Sequence, residues 1–265
     1  MFASQTPRVH YPEAGFYFLL LRTTRTHGPK LEGSTVVQLP TVMIMKSISF
    51  IRGSRWDRKS FSAGLPGLLI HSIAPAAPGA RLEATVAEVP VFPGSLDAIR
   101  AAHEAKASQV ILSDANTVFI EAFLQKEGLR HCFSDVISNP ASFDEEGRLH
   151  IKPFHDGEAH DCPLCPSNLC KGSVLQHLLG ATSPARVAYV GDGGGDFCPA
   201  CELRPQDLLL CRAPPSDPLK RFGLLRRLEG PAQATRHGGI AQVVAKVVKW
   251  HSGDDLLAAI RGFLR

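Results

Sequence analysis

No apolar stretch in the chain reaches the ~18–20 residues that a membrane-crossing helix needs, so no helical membrane span is expected. No secretory leader is expected either: the apolar stretch at 16–21 is short and follows a polar, proline-containing start. The seven cysteines do not form an even set. A complete disulfide framework is therefore not anticipated, and mostly free thiols in a reducing, cytoplasmic setting are. An excess of either charge sign is also lacking, with a formal net charge of only +4. Ten of the 29 Lys/Arg but only three of the 25 Asp/Glu lie in residues 1–81, leaving 19 and 22 for the remainder. The basic balance thus belongs to the N-terminal third, and no basic stripe suited to nucleic acid emerges.

What is present is an ordinary globular composition, 44% hydrophobic and 20% charged over 265 residues. Two parts are distinguishable. Residues 1–81 are basic and irregular, broken by prolines, glycines and isolated arginines. The run TVMIMKSISFI (41–51) is a candidate strand and 65–73 a candidate second element. The arginine-rich, acid-poor texture also fits an organelle transit peptide, an alternative to a purely cytoplasmic location. APAAPGA (74–80) reads as a linker.

From residue 82 onward, strands and helices alternate. Residues 82–89 are helix-like, and Ser95 is placed to cap a helix reaching Lys106. A strand at 109–112 stops at SDANT, and a helix follows at 118–127, closed by Gly128. Further strands are expected at 133–138, 149–151, 186–190, 207–211 and 243–250, and helices at 171–179, 218–228 and 254–264. Asp144 to Gly147 make a hairpin turn. This alternation predicts an α/β domain over residues 82–265 with a mostly parallel sheet. Ligands of such folds bind beyond the carboxyl ends of the strands, where SDANT and the later GDGGGD both fall.

In RVAYVGDGGGDFCP (186–199), an apolar run ends in Asp192 and Asp196, with three glycines between them. Two carboxylates just past a strand suit a hard cation such as Mg²⁺, and the glycines let backbone N–H groups approach a phosphate. A polar loop after a core strand is the plainer reading. Ser113 lies between a strand and a helix, so its hydroxyl can meet a phosphate oxygen or simply cap the helix. Asn116 adds a neutral donor and acceptor at the same strand edge. Lys171 opens a helix, where a cation is disfavoured by the dipole unless an anion compensates. That anion is either a ligand or Asp192/Asp196; the alternative is an ordinary exposed lysine.

Cys162-x-x-Cys165 with Cys170, and with His155 and His160 upstream, has zinc-type ligands but not the spacing of a standard finger. A loop of buried thiols is the competing reading. Cys198 and Cys201 are taken as packing residues.

Ser113, Lys171 and GDGGGD, in that order, resemble motifs II, III and IV of the haloacid dehalogenase (HAD) superfamily. ILSDANTVFIEAFL (111–124), CFSDVISNPASFDEEGRL (132–149), CPLCPSNLCKG (162–172) and YVGDGGGDFCP (189–199) resemble the PHOSPHO-type phosphatases of that superfamily, most closely the plant branch. The resemblance covers about residues 82–265. It implies a HAD-like Rossmannoid fold and Mg²⁺-dependent dephosphorylation of a small metabolite. Phosphocholine, phosphoethanolamine, pyridoxal phosphate, thiamine monophosphate and pyrophosphate are substrates within the family. It further implies that Ser113 and Lys171 hold the transferring phosphoryl group, that Asp114 and Asn116 belong to the substrate loop, and that Asp192 and Asp196 hold Mg²⁺. No nucleic-acid partner is implied, and the oligomeric state is left open.

One departure matters. The family's first strand ends in Asp-x-Asp-x-Thr, whose first aspartate is the nucleophile and second the general acid/base. Asp57 is the only aspartate before Asp97, and no carboxylate stands two residues from it. The helical cap that follows in the family is not recognisable either. Three explanations compete: replacement of the native N-terminal coding sequence, a catalytically inactive binding protein, or an unrecognised nucleophile. A strand within 42–51 is expected to take the place of the missing motif I strand.

Overall fold

The computed structural model describes residues 43–45, 89, 91–156, 160–213, 215, 222–230, 235–236 and 239–265. The strands are β1 (Met43–Met45), β2 (Val110–Asn116), β3 (Asp135–Asn139), β4 (Ala141–Phe143), β5 (Leu149–Ile151), β6 (Ala188–Gly191), β7 (Leu208–Arg212), β8 (Thr235–Arg236), β9 (Gly239–Ile240) and β10 (Lys246–Trp250). The helices are α1 (Pro93–Glu104), α2 (Thr117–Lys126), α3 (Lys171–Thr182), α4 (Phe197–Ala200), α5 (Gly223–Glu229) and α6 (Gly253–Leu264).

Six strands form one parallel sheet in the order β10-β7-β6-β1-β2-β3. This is the α/β class the alternation predicted. The inner strands β6 and β7 are buried at every position, as near-continuous apolar runs in parallel sheets must be. The edge strand β10 instead exposes Lys246 and Lys249, charges that discourage pairing with another chain. From β1 the chain builds outward through β2 and β3 on one side, then through β6, β7 and β10 on the other. The strand order therefore reverses at β1, and the crevice at a reversal is where ligands of open α/β sheets bind.

β1 pairs with β2 through Ile44 and Met45 and with β6 through Met43 and Ile44. It takes the central place expected for a strand within 42–51. The rest of that run, the candidate element at 65–73, the linker and the helix-like stretch before residue 89 lie outside the described residues.

Two local expectations are corrected. Ser95 does not cap α1. Pro93 supplies a first-turn residue that needs no N–H partner, Phe92 is the N-cap, and Ser95 lies inside the helix, fully buried. β2 does not stop at Leu112 but runs to Asn116, with a register shift between those residues. There three residues of β2 oppose the single Ser138 of β3. Such bulges bend a strand and re-aim its side chains.

The hairpin β4–β5 forms around the expected turn, with Gly147 at φ 77°. Asp144 accepts from the Arg148 backbone N–H and side chain and bonds His150; the His150 contact foremost holds its carboxyl below the usual range. Beneath the sheet edge, Trp250 is fully buried, with its indole N–H on the Leu210 carbonyl at 3.3 Å.

Helices α1 and α6 cross in contact at two glycines. A Cβ on Gly94 would lie 2.6 Å from the Asp254 backbone nitrogen, and one on Gly253 would lie 2.8 Å from that of Ser95. Gly180, exposed in α3, has open space around it. We expect Gly94→Ala to destabilise the protein by about 1–3 kcal/mol through overpacking. Gly180→Ala should stabilise it by about 0.5–1 kcal/mol, since its backbone is already helical. Urea titrations of both variants check this; equal midpoints would contradict the crossing geometry.

Candidate active site

The carboxyl ends of β2 and β6 flank the central strand, and the segments leaving them bring a charged cluster together. Lys171, the first residue of α3, is 1% exposed and ranks among the largest fully buried side chains. Its Nζ lies 2.9 Å from Asp114 Oδ1 and 3.2 Å from Asp196 Oδ1. The lysine at the positive end of a helix thus has its compensating anions, and the exposed-lysine reading is excluded.

Asp196 has no exposed surface. Besides Lys171, its Oδ1 accepts the Tyr189 hydroxyl at 3.1 Å. Its Oδ2 accepts the backbone N–H groups of Asp192 and Gly193, both at 2.9 Å. Four donors match the four lone-pair sites of an ionised carboxylate. Tyr189 titrates well above its ordinary value because it is buried and, next, because the Asp196 carboxylate faces it. Gly191 admits this packing: a Cβ there would sit 2.7 Å from Asp196 Cβ. The glycine that opens GDGGGD therefore makes room for the aspartate that closes it.

Asp192, half-buried on the same loop, is joined to Asp196 through its own N–H, and its carbonyl accepts the Leu224 N–H at 3.1 Å. Ser113 is fully buried in the bulge of β2, its Oγ accepting the Ala115 N–H at 3.1 Å. Asn116 caps α2: its Oδ1 accepts the Phe119 N–H at 3.0 Å. Asp114 is the more open member, its side chain 30% exposed, with Oδ2 3.4 Å from where a Cβ on Gly195 would lie. Lys171, Asp114 and Asp196 are therefore in direct contact, and Asp192 joins them through the backbone.

Asn139 was not singled out in the sequence. Its Nδ2 donates to the carbonyls of Asp114 (2.9 Å) and Ala115 (2.8 Å), holding the bulge. Its Oδ1 accepts the Phe154 N–H and Asn168 Nδ2 at 3.2 and 3.1 Å. Asn168 precedes Lys171 by three residues, so one buried amide ties the SDAN strand end to the loop that delivers the lysine. Tyr189 and Cys198 were likewise missed as partners: the first read as part of an apolar run, the second as packing.

Three carboxylates against one ammonium leave the edge with surplus negative charge and oxygen donors, the donor type that a hard divalent cation takes. The Arg227 guanidinium also stands beside this loop, its Nε 3.7 Å from where a Cβ on Gly194 would lie.

Comparison with known proteins gives the class of protein to which the chain belongs. Residues 76–263 match the model of the "Putative Phosphatase" family. The chain belongs to that family.

Among relatives, it is 42% identical over 137 residues to the thiamine phosphate phosphatase-like protein of Arabidopsis thaliana, covering 49% of this chain and 56% of that one. It is 33% identical over 195 residues to the probable phosphatase phospho1 of Danio rerio, covering 70% and 65%. It is 32% identical over 161 residues to the pyridoxal phosphate phosphatase PHOSPHO2 of Mus musculus, covering 59% and 61%. The chain thus spans less than two thirds of the length of each. A HAD family hydrolase of Salmonella enterica serovar Typhi aligns with a TM-score of 0.41 at 17% identity, over 71% of this chain and 51% of that one. Among the described residues, no helix is long and apolar enough to cross a membrane.

Removing the Lys171 ammonium would leave a fully buried carboxylate without its cation. We expect Lys171→Met to cost about 3–5 kcal/mol, as breaking a buried pair does, and Lys171→Met/Asp196→Asn to recover part of it. Asn139→Ala should cost about 1–3 kcal/mol through unsatisfied buried groups. Denaturant midpoints measure all three; an unchanged Lys171→Met midpoint would contradict the burial of the pair.

Proposed function

We propose that residues 82–265, completed by β1, form a Mg²⁺-dependent site for small phosphomonoesters, and that residues 1–81 are otherwise a separate basic segment. The observation that supports this most is the buried Lys171 held between Asp114 and Asp196 at the switch point of the sheet. The family's named phosphatases act on small phosphorylated compounds, among them pyridoxal phosphate. We assign this chain the same substrate class, and a cytoplasmic location in keeping with its odd number of cysteines.

Roles follow from position. Asp192, half-buried and joined to Asp196 through its own backbone N–H, would hold the cation. Asp196, its oxygens already holding four donors, fixes Asp192 and Lys171 relative to each other. Bound Mg²⁺ would neutralise the carboxylate surplus and polarise a phosphoryl oxygen. Lys171 and the Ser113 hydroxyl complete the set that meets the other phosphoryl oxygens, and preorganised donors of this kind stabilise charge that builds in the transition state. Asp114 orients Lys171, and Asn116 keeps the loop in place by capping α2.

A second reading, binding without turnover, draws on one observation. β1 is followed by Lys46-Ser47-Ile48-Ser49, with no aspartate where the family carries its nucleophile. The same measurement separates the two. Phosphate release from phosphocholine, phosphoethanolamine, pyridoxal phosphate, thiamine monophosphate and pyrophosphate is followed with and without Mg²⁺, alongside calorimetric binding. We expect Mg²⁺-dependent binding that Asp192→Asn abolishes. We also expect weak release that rises by orders of magnitude when residues 1–81 are replaced by a family segment bearing DxDxT and its cap. Binding without release in that chimera would leave only the second reading, and the absence of both binding and release would refute the site.

A further inference from the structure

Four sulfurs converge beside the charged cluster. Cys162 and Cys165 lie on the loop between β5 and α3, Cys170 caps α3, and Cys198 lies in α4. Their Sγ atoms are all within 4.8 Å of one another. Cys162 Sγ is 3.5 Å and Cys170 Sγ 3.9 Å from Cys198 Sγ. A tetrahedron of thiolates around zinc, with Zn–S near 2.3 Å, has S–S edges of roughly 3.8 Å. The observed separations bracket that edge. They are far from the ~2.05 Å of a disulfide, and all four cysteines are unbonded.

We propose that Cys162, Cys165, Cys170 and Cys198 form a structural site for one Zn²⁺ ion. Cys198, taken from the sequence as a packing residue, supplies the fourth ligand that Cys162-x-x-Cys165 and Cys170 lacked. The histidines expected upstream are not ligands. His160 uses Nε2–H to donate to the Pro166 carbonyl at 2.8 Å and Nδ1 to accept the Cys162 N–H at 3.3 Å, so it shapes the loop instead. His155 stacks edge-on to it, 5.2 Å between ring centroids, outside the sulfur set.

The surroundings suit anionic sulfur. The Ser173 N–H, at the first turn of α3, donates to Cys170 Sγ at 3.4 Å. That places the thiolate at the positive end of a helix. Cys170 and Cys198 are buried while Cys162 and Cys165 are half-buried, which leaves the ion an entry path from the loop side. Binding converts four thiols to thiolates and releases up to four protons, with no redox step. The four-sulfur donor set selects zinc over hard cations, which separates this site from the oxygen-rich edge.

Its consequence is positional. Cys170 is bonded in sequence to Lys171, and Cys198 follows Asp196 by two residues. One ion would thus pin the lysine-bearing helix to the loop that carries its carboxylate.

The test reads metal, not activity, so it stands or falls apart from the phosphatase reading. Full-length protein purified under reducing conditions is stripped with chelator, reconstituted with Zn²⁺ and analysed by elemental mass spectrometry. Co²⁺ is used as a spectroscopic probe. We expect one zinc per chain, a tetrahedral Co²⁺–thiolate spectrum, and a fall in thermal midpoint on chelation. Cys198→Ser should weaken zinc binding by more than about 100-fold, beyond the loss typical of an outer-shell change. Cys211→Ser and Asp192→Asn should keep full zinc content. If Cys198→Ser does not fold, Cys162→Ser, at the half-buried rim, replaces it. Failure to take up zinc, wild-type affinity in the ligand variants, bound iron with sulfide, or the mass loss of a disulfide would each overturn the proposal.

Discussion

A carboxylate with no exposed surface persists as an ion only when its oxygens are held on every side, and Asp196 is held by Lys171, Tyr189 and the amides of Asp192 and Gly193. Much of the site depends on that constraint. It fixes the curl of the GDGGGD loop, because two of the four donors are the loop's own N–H groups. It fixes α3, because the first residue of that helix supplies the cation. It requires glycine at 191, because any side chain there would occupy the space of the carboxylate. Asp114 then shares the same ammonium from the carboxyl end of β2, on the other side of the central strand.

The support for this centre is itself polar and long-range. Asn139 uses all its bonding capacity on two carbonyls of the β2 bulge, one backbone N–H and one side-chain amide. A buried amide satisfied in this way specifies one arrangement, since any slip of β2 against β3 would strand several groups at once. The bulge, which breaks the sheet register, is therefore held as firmly as the regular strands around it.

Much of this was legible in the sequence where local signals suffice. The run ending in GDGGGD, the hairpin turn with its glycine and the helix opening at Lys171 each declare themselves within about ten residues by periodicity and turn chemistry. What failed had distant causes. β2 was cut short at Leu112 because the polar SDAN ends its apolar run; the strand continues because Asn139, more than twenty positions away, satisfies the carbonyls there. Cys198 looked like packing because its sulfur neighbours lie 28 and 36 positions back. Ser95 looked like a cap because serine is a favoured N-cap residue, but Pro93, two residues earlier, already opens α1.

The placement of β1 has a consequence for the order in which the chain assembles. Ile44 pairs with Val110 on one side and Tyr189 on the other, partners 66 and 145 positions along the sequence. The neighbouring pairs are far more local: Val110 with Asp135, and Ala188 with Leu208. Loop closure costs grow with the logarithm of length, by about 0.6 kcal/mol per doubling, before any contact repays them. The two flanks of the sheet, β2–β3 and β6–β7, thus form at lower entropic cost than either seam with β1. The strand at the centre of the finished sheet is the one whose described pairings raise the contact order most, and pairings of that kind slow folding. Until it docks, the facing edges of β2 and β6 expose unpaired backbone to any other extended segment, and the chain is most open to mispairing at the place where its buried charge cluster will stand.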